Sequence, residues 1–149
     1  VAAQGTVIRR LPMAESIRVL VAIPTSRLST HMARAALPEA VRHAAAARSL
    51  ARVVFLLEGL RTGDADAFRL AGGDELHEGP RSDLSPITGT LITAAMDAGA
   101  LHAAWSGAGP TAIAFTTSDS VEDVTQALKS ALEEGGEVRE LQVATRGWA

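Results

Sequence analysis

The sequence predicts an α+β domain, one antiparallel sheet with helices packed on one face. Three observations lead there. Two short apolar runs, 101–105 and 112–115, flank Ser106-Gly107-Ala108-Gly109-Pro110-Thr111, so this part reads as strand, tight glycine turn, strand. The run 17–23, Ile-Arg-Val-Leu-Val-Ala-Ile, is rich in β-branched residues and apolar nearly throughout, as in a central strand. A helical pattern then joins the strand at Phe115 to a last strand near Val138. That is the order of a split β-α-β half of a ferredoxin-like layer.

The elements follow in order. Residues 7–11 read as a first strand ended by Pro12, and Pro24 closes the strong strand 17–23. Ser29 and Thr30 carry hydroxyls that can accept the orphan amides of a first helical turn, so a short helix is expected over 31–36, stopping before Pro38. The longest helix is expected over 39–60, because Ala40, Val41, Ala44, Ala47, Ala51, Val54, Leu57 and Leu60 recur at helical spacing. Thr62-Gly63-Asp64 breaks it. A short helix over 65–71 ends at Gly72-Gly73. Gly79-Pro80 forbids a continuous helix, so 78–85 is expected to be a loop. A helix from Ser85 or Pro86 to 98 stops at Gly99. After the glycine turn, Ser118 or Asp119 caps a helix with Val121, Val124, Leu128 and Leu132 on one face, ended by Gly135-Gly136. Residues 138–144 form the last strand and 146–149 a tail.

Composition narrows the class. The 149 residues are enough for one domain with a real core, and 47% hydrophobic with 21% charged is an ordinary globular balance. Aromatic residues are only 3%, so Ala, Leu and Val must build the core. A net charge of −3 gives no reason to expect nucleic acid or an anionic membrane as partner. With no cysteine there is no disulfide framework or thiolate metal site, which fits the cytoplasm. No apolar run approaches the length that spans a bilayer. His31, His43, His77 and His102 have no partner at metal-ligand spacing, so no metal site is expected. His102 reads as structural, and packing or a backbone hydrogen bond is expected for His77.

Three places could carry chemistry. In the turn, Gly107 and Gly109 permit positive φ, and its successive amides can form an anion-binding concavity; an ordinary hairpin turn is the plainer alternative. Gly107-Ala108-Gly109 with Ala112 also fits a dinucleotide fingerprint, but that motif needs a helix directly afterwards and a strand follows here. Thr30 and Arg34 lie four apart and would share a helix face. Arg34 and Arg81 each offer a planar fork suited to carboxylate or phosphate. From spacing alone, Thr30 is equally a cap and Arg34 a solvated side chain.

Taken together, these segments resemble a known family. Ser106-Gly107-Ala108-Gly109-Pro110-Thr111 is similar to the third motif of the GHMP small-molecule kinases, most closely in the homoserine kinase family. Ser29-Thr30-His31-Met32-Ala33-Arg34-Ala35-Ala36-Leu37-Pro38 matches every fixed position of that family's Ser-Thr-x-x-Ala-Arg-x-x-Leu-Pro pattern, and Leu76-His77-Glu78-Gly79-Pro80-Arg81 its Leu-His-x-x-x-Arg segment. Glu78-Gly79-Pro80 stands where Gln-Pro-Tyr is usual, and Ser49-Leu50-Ala51-Arg52 where the family often has an Asn before Leu-Ser-Arg.

The resemblance implies a GHMP kinase C-terminal domain over residues 1–149. It implies an enzyme that transfers the ATP γ-phosphoryl to the hydroxyl of L-homoserine, in threonine biosynthesis. Thr30, Arg34 and Arg81 would bind the substrate, and Ser106, Gly107, Ala108 and Gly109 would face the phosphate loop. No residue here is implied as a general base. The family's Gly-Leu-Gly-Ser-Ser-Ala phosphate loop has no counterpart in these residues. The expectation is therefore a C-terminal half, inactive alone, with ATP and Mg2+ held mainly by an N-terminal half of the same enzyme; a homodimer is left open. The alternative is a stand-alone ferredoxin-like module that binds an amino acid without turning it over.

Overall fold

A computed structural model describes residues 11–133 and 135–144. The expected strand at 7–11 lies outside them except for Leu11, as does the expected tail.

Among the described residues, four strands form one sheet in the order β2-β3-β1-β4, every neighbour antiparallel. The central strand β1 (Ile17–Pro24) is buried at six of its eight positions, which is why its sequence is apolar apart from Arg18. On one side it pairs with β3 (Ala112–Thr117), on the other with β4 (Gly136–Leu141). β2 (His102–Trp105) pairs with β3 through the register His102↔Phe115 to Trp105↔Ala112. The expected antiparallel pair around the glycine turn is therefore present. β3 and β4 flank β1 and are joined by α6 (Val121–Leu132), completing the split β-α-β unit.

The core lies between one sheet face and two helices, α5 (Pro86–Asp97) and α6. Leu20 and Ala22 of β1, Ala103 of β2 and Ala112 and Ala114 of β3 meet Leu91 and Ala95 of α5 and Val124, Leu128 and Leu132 of α6. The spacing Val124, Leu128, Leu132 is one helical stripe, as the sequence requires. Alanine on the sheet side lets the helices approach closely. Each fully buried leucine adds about 1.5–3 kcal/mol by leaving water.

The opposite sheet face carries a smaller contact that apolar periodicity does not foreshadow. Phe68 of α3 (Ala65–Ala71) stacks on His102 and Phe115, with ring centroids 6.2 and 6.0 Å away. His102 is thus structural, and burial holds its pKa below the ordinary histidine value, so the ring is neutral.

Besides the last strand, which spans Gly136–Leu141 rather than 138–144, two expectations are corrected. The long helix α2 spans His43–Thr62 rather than 39–60. Arg42 is extended and its carbonyl receives the amides of Ala45 and Ala46, so the first turn begins there. Its packed side also differs. Val41, Val54 and Leu57 are exposed, while Ser49 and Gly59 are buried. Gly59 lets Phe68 sit against the helix backbone, and Ser49 donates to the Asp74 carboxylate at 2.8 Å. A glycine and a serine give no apolar signal, so the hydrophobic pattern pointed elsewhere. The second correction is at 78–85, where Glu78–Ser82 forms a short helix, α4. Pro80 sits in its first turn, where the missing amide would have had no helical partner. Among the described residues, no helix is long and apolar enough to cross a membrane.

Gly59→Ala tests the α2–α3 contact. Alanine improves helix propensity by about 1 kcal/mol. Its Cβ would lie 2.9 Å from the fully buried Phe68 ring. Overpacking costs about 1–3 kcal/mol. The net effect should be destabilisation, read as a Tm lower by roughly 2–4 °C per kcal/mol. A Tm unchanged or raised would contradict the packing described.

Candidate functional site

The third motif folds as a tight loop between β2 and β3. The Ser106 amide donates to the Thr111 carbonyl at 2.9 Å, and the Gly109 amide to the Ser106 carbonyl at 3.3 Å. Gly107 has φ 64° and Gly109 φ 83°, conformations that favour glycine. At Gly109 space matters too, since a Cβ there would lie 2.5 Å from the Trp105 ring. Ala108 and Ser106 are half-buried and Gly107 is exposed. Among the described residues, the amides of Gly107 and Ala108 make no hydrogen bond to protein.

A pair of hydroxyls holds the loop from below. Thr88, fully buried on α5, donates to the Pro110 carbonyl at 2.9 Å and shares a 2.9 Å hydrogen bond with Ser85. Ser85 and Thr88 belong to the site's support. Their i, i+3 spacing at a helix start was the available signal, but in the sequence Ser85 reads only as a possible helix start and Thr88 is not singled out.

Arg81 ties the motifs together. Its side chain is buried, at 8% exposure. Nε donates to the Ala33 carbonyl on α1 (Thr30–Ala35) at 3.0 Å, and Nη1 to the Gly107 carbonyl at 3.3 Å. One guanidinium therefore joins segments 29–38, 76–81 and 106–111, the three places singled out from the sequence. Among the described residues no carboxylate pairs with it. Two of its five N–H donors are used, by neutral carbonyls only.

Arg34 and Thr30 sit differently. Both are exposed on α1. Ser29 supplies the cap, its hydroxyl accepting from the Met32 amide at 3.5 Å, which leaves the Thr30 side chain outside that role. Arg34 follows Ala33, whose carbonyl Arg81 holds, and it makes no ion pair among the described residues. The fold thus joins Arg81 to the glycine loop and to the backbone of α1. It leaves the side chains of Thr30 and Arg34 on the accessible side of that helix.

The segment leading to Arg81 is pinned by acids. Asp74 accepts from the Ser49 hydroxyl and the Leu76 amide, each at 2.8 Å, and pairs with His77 Nε2 at 3.2 Å. His77 therefore has a side-chain partner, where packing or a backbone bond was expected. The Glu75 carboxylate bridges Arg48 and Arg52, and the hydrogen bond from Arg48, helped by Arg52, holds its pKa down at about 2. These contacts fasten the segment to α2. No group of three His, Asp or Glu among the described residues converges as a metal site.

Thr88→Val tests the support of the loop. It should strand the Pro110 carbonyl and the Ser85 hydroxyl, costing about 1–3 kcal/mol. Thr88→Ser should cost less because it keeps the hydroxyl. Urea midpoints at unchanged m-value give the comparison. Equal stability of the two variants would contradict the hydrogen-bonding role.

Comparison with known proteins fits this geometry. A family model described as the GHMP kinases C terminal matches residues 56–134, from within α2 to the end of α6. The homoserine kinase of Parasynechococcus marenigrum (strain WH8102) is 40% identical over 121 residues, covering 81% of this chain and 38% of that protein. The chain thus spans well under half the length of that relative. Among solved structures, homoserine kinase from Cytophaga hutchinsonii ATCC 33406 superposes with a TM-score of 0.82 at 28% identity, covering 91% of this chain and 44% of that one. Mevalonate kinase of L. major superposes at 0.69 with 18% identity, a likeness of fold alone, covering 90% of this chain and 44% of that one. With the split β-α-β sheet, the glycine loop and the matched span in agreement, this chain belongs to the GHMP kinase C-terminal family.

Proposed function

We propose that these residues are the C-terminal part of a homoserine kinase, which transfers the γ-phosphoryl of ATP to the hydroxyl of L-homoserine. The observation that carries the reading is Arg81, a buried cation that meets two neutral carbonyls and no carboxylate among the described residues. A buried charge without a counter-charge is costly, and an arriving carboxylate would supply one. The relatives' printed names, homoserine kinase, supply the amino-acid substrate.

On this reading Arg81 is preorganised. Its Nε and Nη1 bonds fix the guanidinium plane, so little side-chain entropy remains to be lost when the outer donors take the substrate carboxylate. Arg34 would reach the same carboxylate from α1, with Thr30 beside it on that helix. The unpaired amides at Gly107 and Ala108 would face developing phosphate charge. Phosphoryl transfer depends chiefly on positioning and charge stabilisation, and these residues would supply the substrate side of both. ATP and Mg2+ would be bound mainly by an N-terminal half of the same enzyme. Threonine biosynthesis and a cytoplasmic location come with the reading. A non-catalytic amino-acid-binding module is not favoured, because the matched relatives are named as kinases.

Kinetics of Arg81→Lys and Arg34→Lys in the full-length protein test the assignment. A lysine cannot reproduce a two-bond fork. Loss of one charge-assisted bond costs about 1.5–3 kcal/mol, roughly ten- to a hundredfold in kcat/KM for homoserine. The KM for ATP should hardly change. Wild-type homoserine kinetics in both variants, with folding verified by melting, would refute the substrate-site assignment.

A further inference from the structure

We propose that a second cleft, between α2, the segment after α3 and strand β2, binds a small molecule with an aliphatic body and an ammonium group. The cleft has a volume of about 280 Å3, just below the roughly 300–1,000 Å3 usual for small-molecule sites. Leu50, Val53, Leu56, Leu76 and Trp105 supply its apolar wall. That wall would take an aliphatic chain.

The polar groups lining it select the other end of the ligand. Arg52 also lines the cleft, but its charge is answered by Glu75 at 2.9 Å. The Asp74 carboxylate is satisfied by Ser49, the Leu76 amide and His77. Two groups remain. The first is His77 Nδ1, a buried atom with no hydrogen-bond partner among the described residues. Nε2 faces the Asp74 carboxylate at 3.2 Å, so in the neutral ring Nε2 holds the hydrogen and Nδ1 presents a lone pair. A buried acceptor left unmade is costly, so a ligand donor is favoured there. The second is Glu78. Its carboxylate accepts from the Asp74 amide at 3.1 Å, forms no ion pair with Lys or Arg among the described residues, and burial raises its pKa. A desolvated carboxylate gains most from a cation with hydrogens to donate. An ammonium group answers both. A hydroxyl would answer only His77, and a carboxylate would be repelled by Glu78.

The inference stands apart from the kinase reading, because Arg81 does not line this cleft. The test titrates the full-length protein with isopentylamine, isopentanol and 4-methylpentanoate, following backbone amide shifts by NMR. Saturable shifts at 49–56 and 102–105 are expected with the amine, which should bind about tenfold or more tightly than the alcohol, and the acid should give none. His77→Phe and Glu78→Gln should each weaken the amine by about tenfold. The ranking on the unaltered protein decides the matter even if a variant fails to fold. No saturable amine shift in the cleft, acid binding as tight as amine, or unaltered amine affinity in both folded cleft variants would overturn the proposal.

Discussion

One guanidinium sets the constraint on which the site depends. Burying the Arg81 side chain takes its guanidinium largely out of water, and the fold returns two carbonyl acceptors. Those acceptors come from two other parts of the chain, 48 and 26 residues distant. Helix α1, the α4 turn and the glycine loop therefore have to arrive at one point together. Any error in the position of one segment strands a charged donor in the interior, which is far more costly than a lost surface contact.

The remaining architecture holds those three arrivals in place. The α4 turn is steered by the acids before it: Asp74 gathers Ser49, Leu76 and His77, and Glu75 is clamped by two arginines of α2. The Arg81 amide closes that turn on the His77 carbonyl at 3.2 Å. The glycine loop is fixed from both sides, by the β2–β3 ladder above and the buried Thr88 hydroxyl below. Trp105 then fills the space that Gly109 leaves, so the last residue of β2 sets the loop's path. Sheet and helices supply a rigid frame, and the candidate-site residues lie on short segments attached to it.

Much of this was legible in the residues, for reasons that can be named. Strand β3 and helix α6 declare themselves because each is buried along a face that matches its own period, and β1 because it is buried on both faces and reads as an almost unbroken apolar run. The glycine turn was legible because Gly107 and Gly109 occupy conformations that other residues rarely adopt. Where contact depends on what is missing from a side chain, periodicity fails. Helix α2 docks through Gly59 and Ser49, so its apolar residues pointed to the wrong side. Likewise α4 was hidden by Pro80, a helix breaker in an interior but harmless in a first turn. For the site, motif spacing marked Arg81, yet nothing in the sequence showed that its nearest partners would be carbonyls. The roles of Ser85 and Thr88 were also hidden, since a hydroxyl pair beneath a loop forms only once the fold is made.

The central claim is that Arg81 is a buried cation prearranged for an acidic ligand. A crystal structure of the full-length protein with L-homoserine and a non-hydrolysable ATP analogue tests it most directly. The account predicts the homoserine carboxylate within about 3 Å of an Arg81 donor, with the contacts to the Ala33 and Gly107 carbonyls retained. Homoserine bound with its carboxylate elsewhere, and Arg81 still touching only those two carbonyls, would contradict it.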